Sequence, residues 1–213
     1  ENKKKIFVVG CPSLDALFAE KDIKNDIIEK RFNISFSNKL ALVIQHPVTT
    51  ENNSSRYQIL QTIKALKNSN IQSLFILPNN DSGHKSIISE IKKNKLNWTE
   101  TLSLSEYKTL LKKSSLLIGN SSSGIHEAAS FKIPVINIGS RQNGRLKPKN
   151  VLNANHNFKE IQKKINFSLH NKKFRSSLKK LVNPYGNGTS AKKILNILKG
   201  INLRLSTQKR NTY

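Results

Sequence analysis

The sequence predicts an α/β fold built on a Rossmann-like, doubly wound parallel sheet, and three observations carry that expectation. Short apolar runs alternate with stretches whose apolar residues recur at helical period, the order that gives βα units. The short runs are apolar throughout instead of alternating, as strands covered on both faces require. The chain has 213 residues and 36% hydrophobic content, enough for one sizeable α/β core.

The elements follow in order. Residues 5–10, KIFVVG, read as a first strand ended by Gly10, and residues 13–32 as a helix with apolar positions at Leu14, Leu17, Phe18, Ile27 and Ile28. Further buried strands are expected over 40–46 (LALVIQH), 73–78 (SLFILP), 115–120 (SLLIGN) and 134–139 (PVINIG). Helices are expected between them over 55–69, 83–94, 105–114 and 124–131, and after Val151 over about 158–170, 171–182 and 189–200. One folded unit therefore spans 1–200, and the polar tail over 201–213 is expected to fray. In such a sheet ligands bind beyond the carboxyl ends of the strands.

Composition narrows the partners. A net charge of +24 and a pI near 10.3 would ordinarily suggest a polyanion. The lysines are dispersed, however, and Lys, Asn and Ile abound along the whole chain, as an A/T-rich coding sequence produces. No recognition motif or basic-aromatic alternation accompanies them, so no nucleic-acid partner is expected, and the excess instead favours a phosphorylated small molecule. The single Cys11 excludes an internal disulfide and offers no metal cluster. No apolar run approaches the roughly 20 residues that span a bilayer, and the first residues lack the apolar core of a secretion signal. The expected setting is cytoplasmic, with no membrane partner and no metal. No G-x-G-x-x-G follows a strand, so a nicotinamide cofactor is unsupported. Met is absent even at position 1, and the chain is expected to be a piece of a longer protein.

The stretch from Ile118 to Arg145, IGNSSSGIHEAASFKIPVINIGSRQNGR, concentrates the chemistry. A strand followed by SSS and a helix makes a turn where free amides, the positive end of a helix dipole and three hydroxyls converge, an anion site in the making. Glu127 lies about one turn into that helix, where a carboxylate can accept hydrogen bonds from a ribose diol. Arg141 and Arg145 follow the next strand and can neutralise phosphate. A helix cap and turn would explain NSSSG alone; the combination with Glu127 and Arg141 favours a phosphate-plus-sugar site.

These residues carry a resemblance. GNSSSGIHEAASFKIPVINIGSRQNGR, QHPVTTE (45–51), GCPSLDAL (10–17), LPNNDSG (77–83) and NPYGNGTSAKKILNIL (183–198) resemble, in order and over nearly the whole chain, the UDP-N-acetylglucosamine 2-epimerase family. The closer likeness is to its hydrolysing branch, used in sialic-acid-type sugar synthesis. The resemblance implies a GT-B architecture of two Rossmann-like lobes with the UDP-sugar between them, this chain corresponding to the C-terminal lobe. The N-terminal lobe, which supplies acidic groups in the family, has no counterpart here and is an expected partner; homo-oligomerisation is left open.

By the same resemblance Ser121 and Ser122 would bond the diphosphate, Glu127 the ribose hydroxyls and Arg141 the pyrophosphate. Leu102 through its backbone and Tyr107 through its ring would meet the uracil, and Asn79 would lie near the nucleotide. His46 and Asp15 would act near the reacting sugar. Simpler readings stand beside these. Tyr107 on a helix face is ordinarily a core residue, a lone histidine such as His46 is more often structural, and Asp15 in a first turn can merely complement a helix dipole. Cys11 reads as a small apolar residue with no base beside it. His84, His126, His156 and His170 show no metal spacing, and His126 departs from the polar or charged residue expected beside Glu127. NPYGNGTSA is equally a turn and helix cap. The implied reaction eliminates UDP across the sugar's first and second carbons and adds water, giving N-acetylmannosamine and UDP. Two alternatives use the same residues: the donor lobe of a GT-B glycosyltransferase, and a module that binds UDP-sugar without turnover.

Overall fold

A computed structural model describes residues 6–201. Six strands form one all-parallel sheet: β1 (Leu40–Ile44), β2 (Gln72–Ile76), β3 (Trp98–Thr99), β4 (Leu116–Gly119), β5 (Val135–Ile138) and β6 (Val151–Ala154), in the order β3-β2-β1-β4-β5-β6. The helices are α1 (Pro12–Ala19), α2 (Asn25–Phe32), α3 (Ser55–Asn68), α4 (His84–Lys93), α5 (Leu104–Lys113), α6 (Ser123–His126), α7 (Phe158–His170), α8 (Lys172–Lys179) and α9 (Ser190–Gly200).

Strand alternation divides the core. Ala41 and Val43 face a cluster with Ile59 and Ile63 of α3, Ile87 and Ile91 of α4 and Ile161 and Ile165 of α7. Leu40, Leu42 and Ile44 face the opposite cluster with Ile28 and Phe32 of α2 and Leu110 and Leu111 of α5. Both faces of the sheet are therefore covered, which is why the central strand β1, LALVI, is apolar and buried at every position. The strand order reverses between β1 and β4, so the crevice beyond their carboxyl ends is the switch point at which ligands bind in doubly wound sheets.

The expected sheet is present, with local corrections. The run over 5–10 is not a strand in its described part: Ile6 and Phe7 are half exposed and Val8 is 92% exposed, and none pairs with the sheet. Its apolar pattern was legible, but a strand also needs a neighbour, and here Gly10 (φ +98) leads into a bond from Cys11 N–H to Tyr185 O of 2.8 Å. The helix expected over 13–32 divides into α1 and α2. Glu20 is extended because its carboxylate accepts from Ser105 and its carbonyl from Lys108, both on α5, and Ile23 N–H donates to Thr109 Oγ1 at 2.9 Å. The helix expected over 124–131 is α6 followed by a 3-10 turn, Ala128–Phe131, closed by Lys132 in the left-handed region. Strands β3 and β6 were not anticipated: β3 has only two residues, and β6, VLNA at the sheet edge, is partly exposed and polar at Asn153, so neither shows a continuous apolar run. The tail over 202–213 lies outside the described residues. Among the described residues no helix is long and apolar enough to cross a membrane.

Candidate functional site at the switch point

The crevice is set by how closely β4 approaches β1. Gly119 has φ +133, and a Cβ there would lie 2.0 Å from Ile44 O, so only glycine permits this spacing. The next residue, Asn120, is buried and bonds both ways to the neighbouring chain: His46 N–H donates to its Oδ1 at 2.7 Å and its Nδ2 donates to His46 O at 2.8 Å. The histidine at the end of β1 is thereby fastened beside the serine turn at the end of β4.

That turn delivers the chain into α6. Ser123 N–H donates to Ser121 Oγ at 3.3 Å, and Ser121, Ser122 and Ser123 are all half-buried. Glu127 is gripped by hydroxyls: Ser123 Oγ donates to Oε2 at 3.0 Å and Ser13 Oγ of α1 lies within 3.4 Å of Oε1. Tyr107 on α5 completes the chain, its hydroxyl bonding Ser123 Oγ. Burial, and then the nearby Glu127 carboxylate, push the Tyr107 hydroxyl well above its usual range, so it stays a neutral hydrogen-bonding group. Its ring packs on the same core face as Leu102, which directly precedes the Ser103/Glu106 capping box that starts α5.

Arg141 arrives from the loop after β5 and donates to Asn120 O at 3.3 Å, beside Gln142 Nε2, which donates to the same oxygen at 2.7 Å. The loop is braced from below by Glu51, which accepts from Ser140 Oγ at 2.7 Å and Gln58 Nε2 at 2.8 Å; the Ser140 bond holds its carboxyl below the usual range. Arg145 lies apart, 3.4 Å from His126 Nε2. His46 is held below the ordinary imidazole range, first by burial and then by Arg141, and its Nδ1 contacts Asn79 Oδ1 at 2.9 Å.

Eight of the ten expected residues, all but Arg145 and Asp15, thus lie along the β1, β2, β4 and β5 ends or on the α5 and α6 segments behind them. Asp15 stands apart. Its Oδ1 accepts from Ser190 N–H at 3.0 Å and its Oδ2 from Ala191 N–H at 2.7 Å, so it caps α9 in place of its own helix. Those backbone bonds lower its pKa, the Ala191 bond most. A lowered folded-state pKa gives stability that is full above the unfolded value and is lost as pH falls through the folded one. Asp15→Ala is expected to lower the thermal midpoint at pH 7 and to show a smaller loss of stability on acidification than the parent, as read by circular dichroism. Sequence reasoning counted Ser123 among the turn's three hydroxyls without foreseeing its bond to Glu127, and it missed Asn120 and Ser13. Asn120 was visible as a polar residue closing an apolar strand; the approach of Ser13 to Glu127 across 114 positions had no local signal.

Among the described residues no group of three His, Cys, Asp or Glu side chains is placed to hold a metal. A family model described as UDP-N-acetylglucosamine 2-epimerase matches residues 1–199. The chain is 33% identical over 208 residues to a UDP-N,N'-diacetylbacillosamine 2-epimerase (hydrolyzing) of Legionella pneumophila, covering 95% of this chain and 54% of that protein. It is 30% identical over 164 residues to a UDP-N-acetylglucosamine 2-epimerase of Neisseria meningitidis, covering 76% of this chain and 43% of that one. The chain spans about half the length of these curated relatives. In fold it is similar to the crystal structure of the Neisseria meningitidis UDP-GlcNAc 2-epimerase bound to UDP-GlcNAc, with a TM-score of 0.77 at 18% identity over 92% of this chain and 56% of the other.

Proposed function

The chain belongs to the UDP-N-acetylglucosamine 2-epimerase family, in the likeness of its hydrolysing members, and on that premise we propose that it is the UDP-binding lobe of a hydrolysing 2-epimerase. The observation that carries the reading is the convergence of Glu127, the 121–123 hydroxyls, Arg141 and His46 on one switch-point crevice. Ser121, Ser122 and Arg141 take the diphosphate, where helix-terminal amides and a guanidinium offset its charge. Glu127 exchanges its two serine donors for the ribose hydroxyls. Leu102 and Tyr107 bound the uracil, with Asn79 nearby. His46 serves at the sugar and Asp15 holds the α1–α9 contact behind it. The substrate is a UDP-2-acetamido sugar, the products are UDP and the free epimerised sugar, and the pathway served is sialic-acid-type sugar synthesis.

Elimination needs proton transfer at the second carbon and stabilisation of the departing diphosphate. This lobe supplies the second and, through His46, one acid-base group; acidic groups of a partner lobe in the same protein supply the others. When the protein containing this lobe turns over a UDP-2-acetamido sugar in deuterated water, deuterium is expected at the sugar's second carbon together with released UDP. UDP release with hydrogen retained at that carbon would replace elimination by simple hydrolysis or glycosyl transfer.

A further inference from the structure

The loop between β2 and α4 holds a residue that the site so far leaves without a task. Gly83 turns there at φ +96, and a Cβ on it would meet Ser55 Oγ at 2.4 Å and Pro47 Cβ at 3.2 Å, so the loop lies tightly on the segment that follows His46. Asp81 is pinned within it: its carbonyl accepts from His84 N–H at 3.0 Å and lies 2.8 Å from His84 Nδ1. From that position Asp81 Oδ2 accepts from Asn79 Nδ2 at 2.8 Å, while Asn79 Oδ1 sits 2.9 Å from His46 Nδ1.

The donors and acceptors of this chain fix one another. An ionised carboxylate only accepts, so Asp81 holds the Asn79 amide with its NH2 toward itself and its oxygen toward the imidazole. That oxygen also only accepts, so His46 Nδ1 must bring the proton. A competing contact exists, because Asn79 N–H points at the same nitrogen, but at 3.3 Å it is the longer of the two. We infer that Asp81, acting through Asn79, fixes His46 as its Nδ1–H tautomer and leaves Nε2 as the proton-accepting atom. Asp81 and Asn79 are positioning residues for the histidine. The charged groups acting on His46 are Arg141 and Asp81; burial, and then Arg141, outweigh the opposing pull of Asn79 and Asp81 and favour the neutral ring, the state in which a tautomer has meaning. The chemical value of this tautomer rests on the proposed role of His46 at the sugar, where a free Nε2 lone pair is what a general base requires.

The test reads the ring nitrogens of the 15N-labelled chain by two-bond proton-nitrogen correlation at a pH where His46 is neutral, the His46 signals being assigned by their loss in His46→Gln. The parent is expected to show a protonated Nδ1 and an unprotonated Nε2. Asn79→Ala leaves only the backbone N–H facing Nδ1, and the pattern is expected to reverse. Asp81→Asn frees the amide to turn and is expected to shift both nitrogens toward a mixture, with Asp81→Glu restoring the parent pattern. A parent protonated at Nε2, or the parent pattern retained in Asp81→Asn, would overturn the inference. No sugar nucleotide is present in this experiment, so its failure is distinguishable from failure of the epimerase reading, which the deuterium experiment decides separately.

Discussion

Glu127→Ala is expected to weaken UDP binding by roughly 10- to 150-fold while leaving the affinity for inorganic diphosphate close to that of the parent. The carboxylate is held at two oxygens by serine hydroxyls, at 3.0 and 3.4 Å, so it is already aimed as a double acceptor and a ribose diol can take the place of those donors. Hydrogen bonds to a charged group contribute about 1.5–3 kcal/mol, which converts to that range of affinity. Diphosphate lacks the diol and would, if anything, gain from removal of a nearby negative charge. Arg141→Ala should do the reverse, weakening both ligands and doing so more at low salt than at high. Calorimetry giving the Glu127 variant the parent's affinity for UDP would remove that residue from the ribose site.

Gly119→Ala is expected to be among the most damaging single substitutions in the chain. The added Cβ would stand 2.0 Å from Ile44 O and 2.5 Å from Ile44 C, backbone atoms of the neighbouring central strand that cannot move aside as a side chain can. The left-handed φ of +133 adds strain of about 1–3 kcal/mol. With the clash, the loss should exceed about 4 kcal/mol, a large part of the stability of an ordinary domain. The same shift would part Asn120 from His46, so any folded remainder should also lose UDP affinity. A urea midpoint unchanged from the parent would mean that β1 and β4 are not held at this spacing.

The central strands were legible because burial on both faces leaves them largely apolar, Leu40–Ile44 at every residue. The serine turn was legible for the same reason that it works: polar residues between a buried strand and a helix have to be a cap or a ligand site. What escaped was decided at a distance. The apolar residues at 6–8 looked like a strand because a sequence does not reveal whether a partner strand lies alongside. The break between α1 and α2 depends on Ser105, Lys108 and Thr109, more than 80 positions away. Asp15 was expected near the reacting sugar, with the dipole of its own helix as the simpler reading; its carboxylate accepts from two backbone N–H groups of α9, 175 and 176 positions later, a contact with no local signal.

The account's central claim is that this chain carries the UDP half of a two-lobed site. Its most direct test is a calorimetric titration of the purified chain with UDP, run beside a coupled assay for UDP release from a UDP-2-acetamido sugar. The account predicts weak one-site binding that is lost in Glu127→Ala, and no release, because each missing acid-base group is worth about 10²–10⁴ in rate and the partner lobe supplies them. A folded chain that shows no UDP binding, or one that turns over the sugar nucleotide unaided, would contradict it.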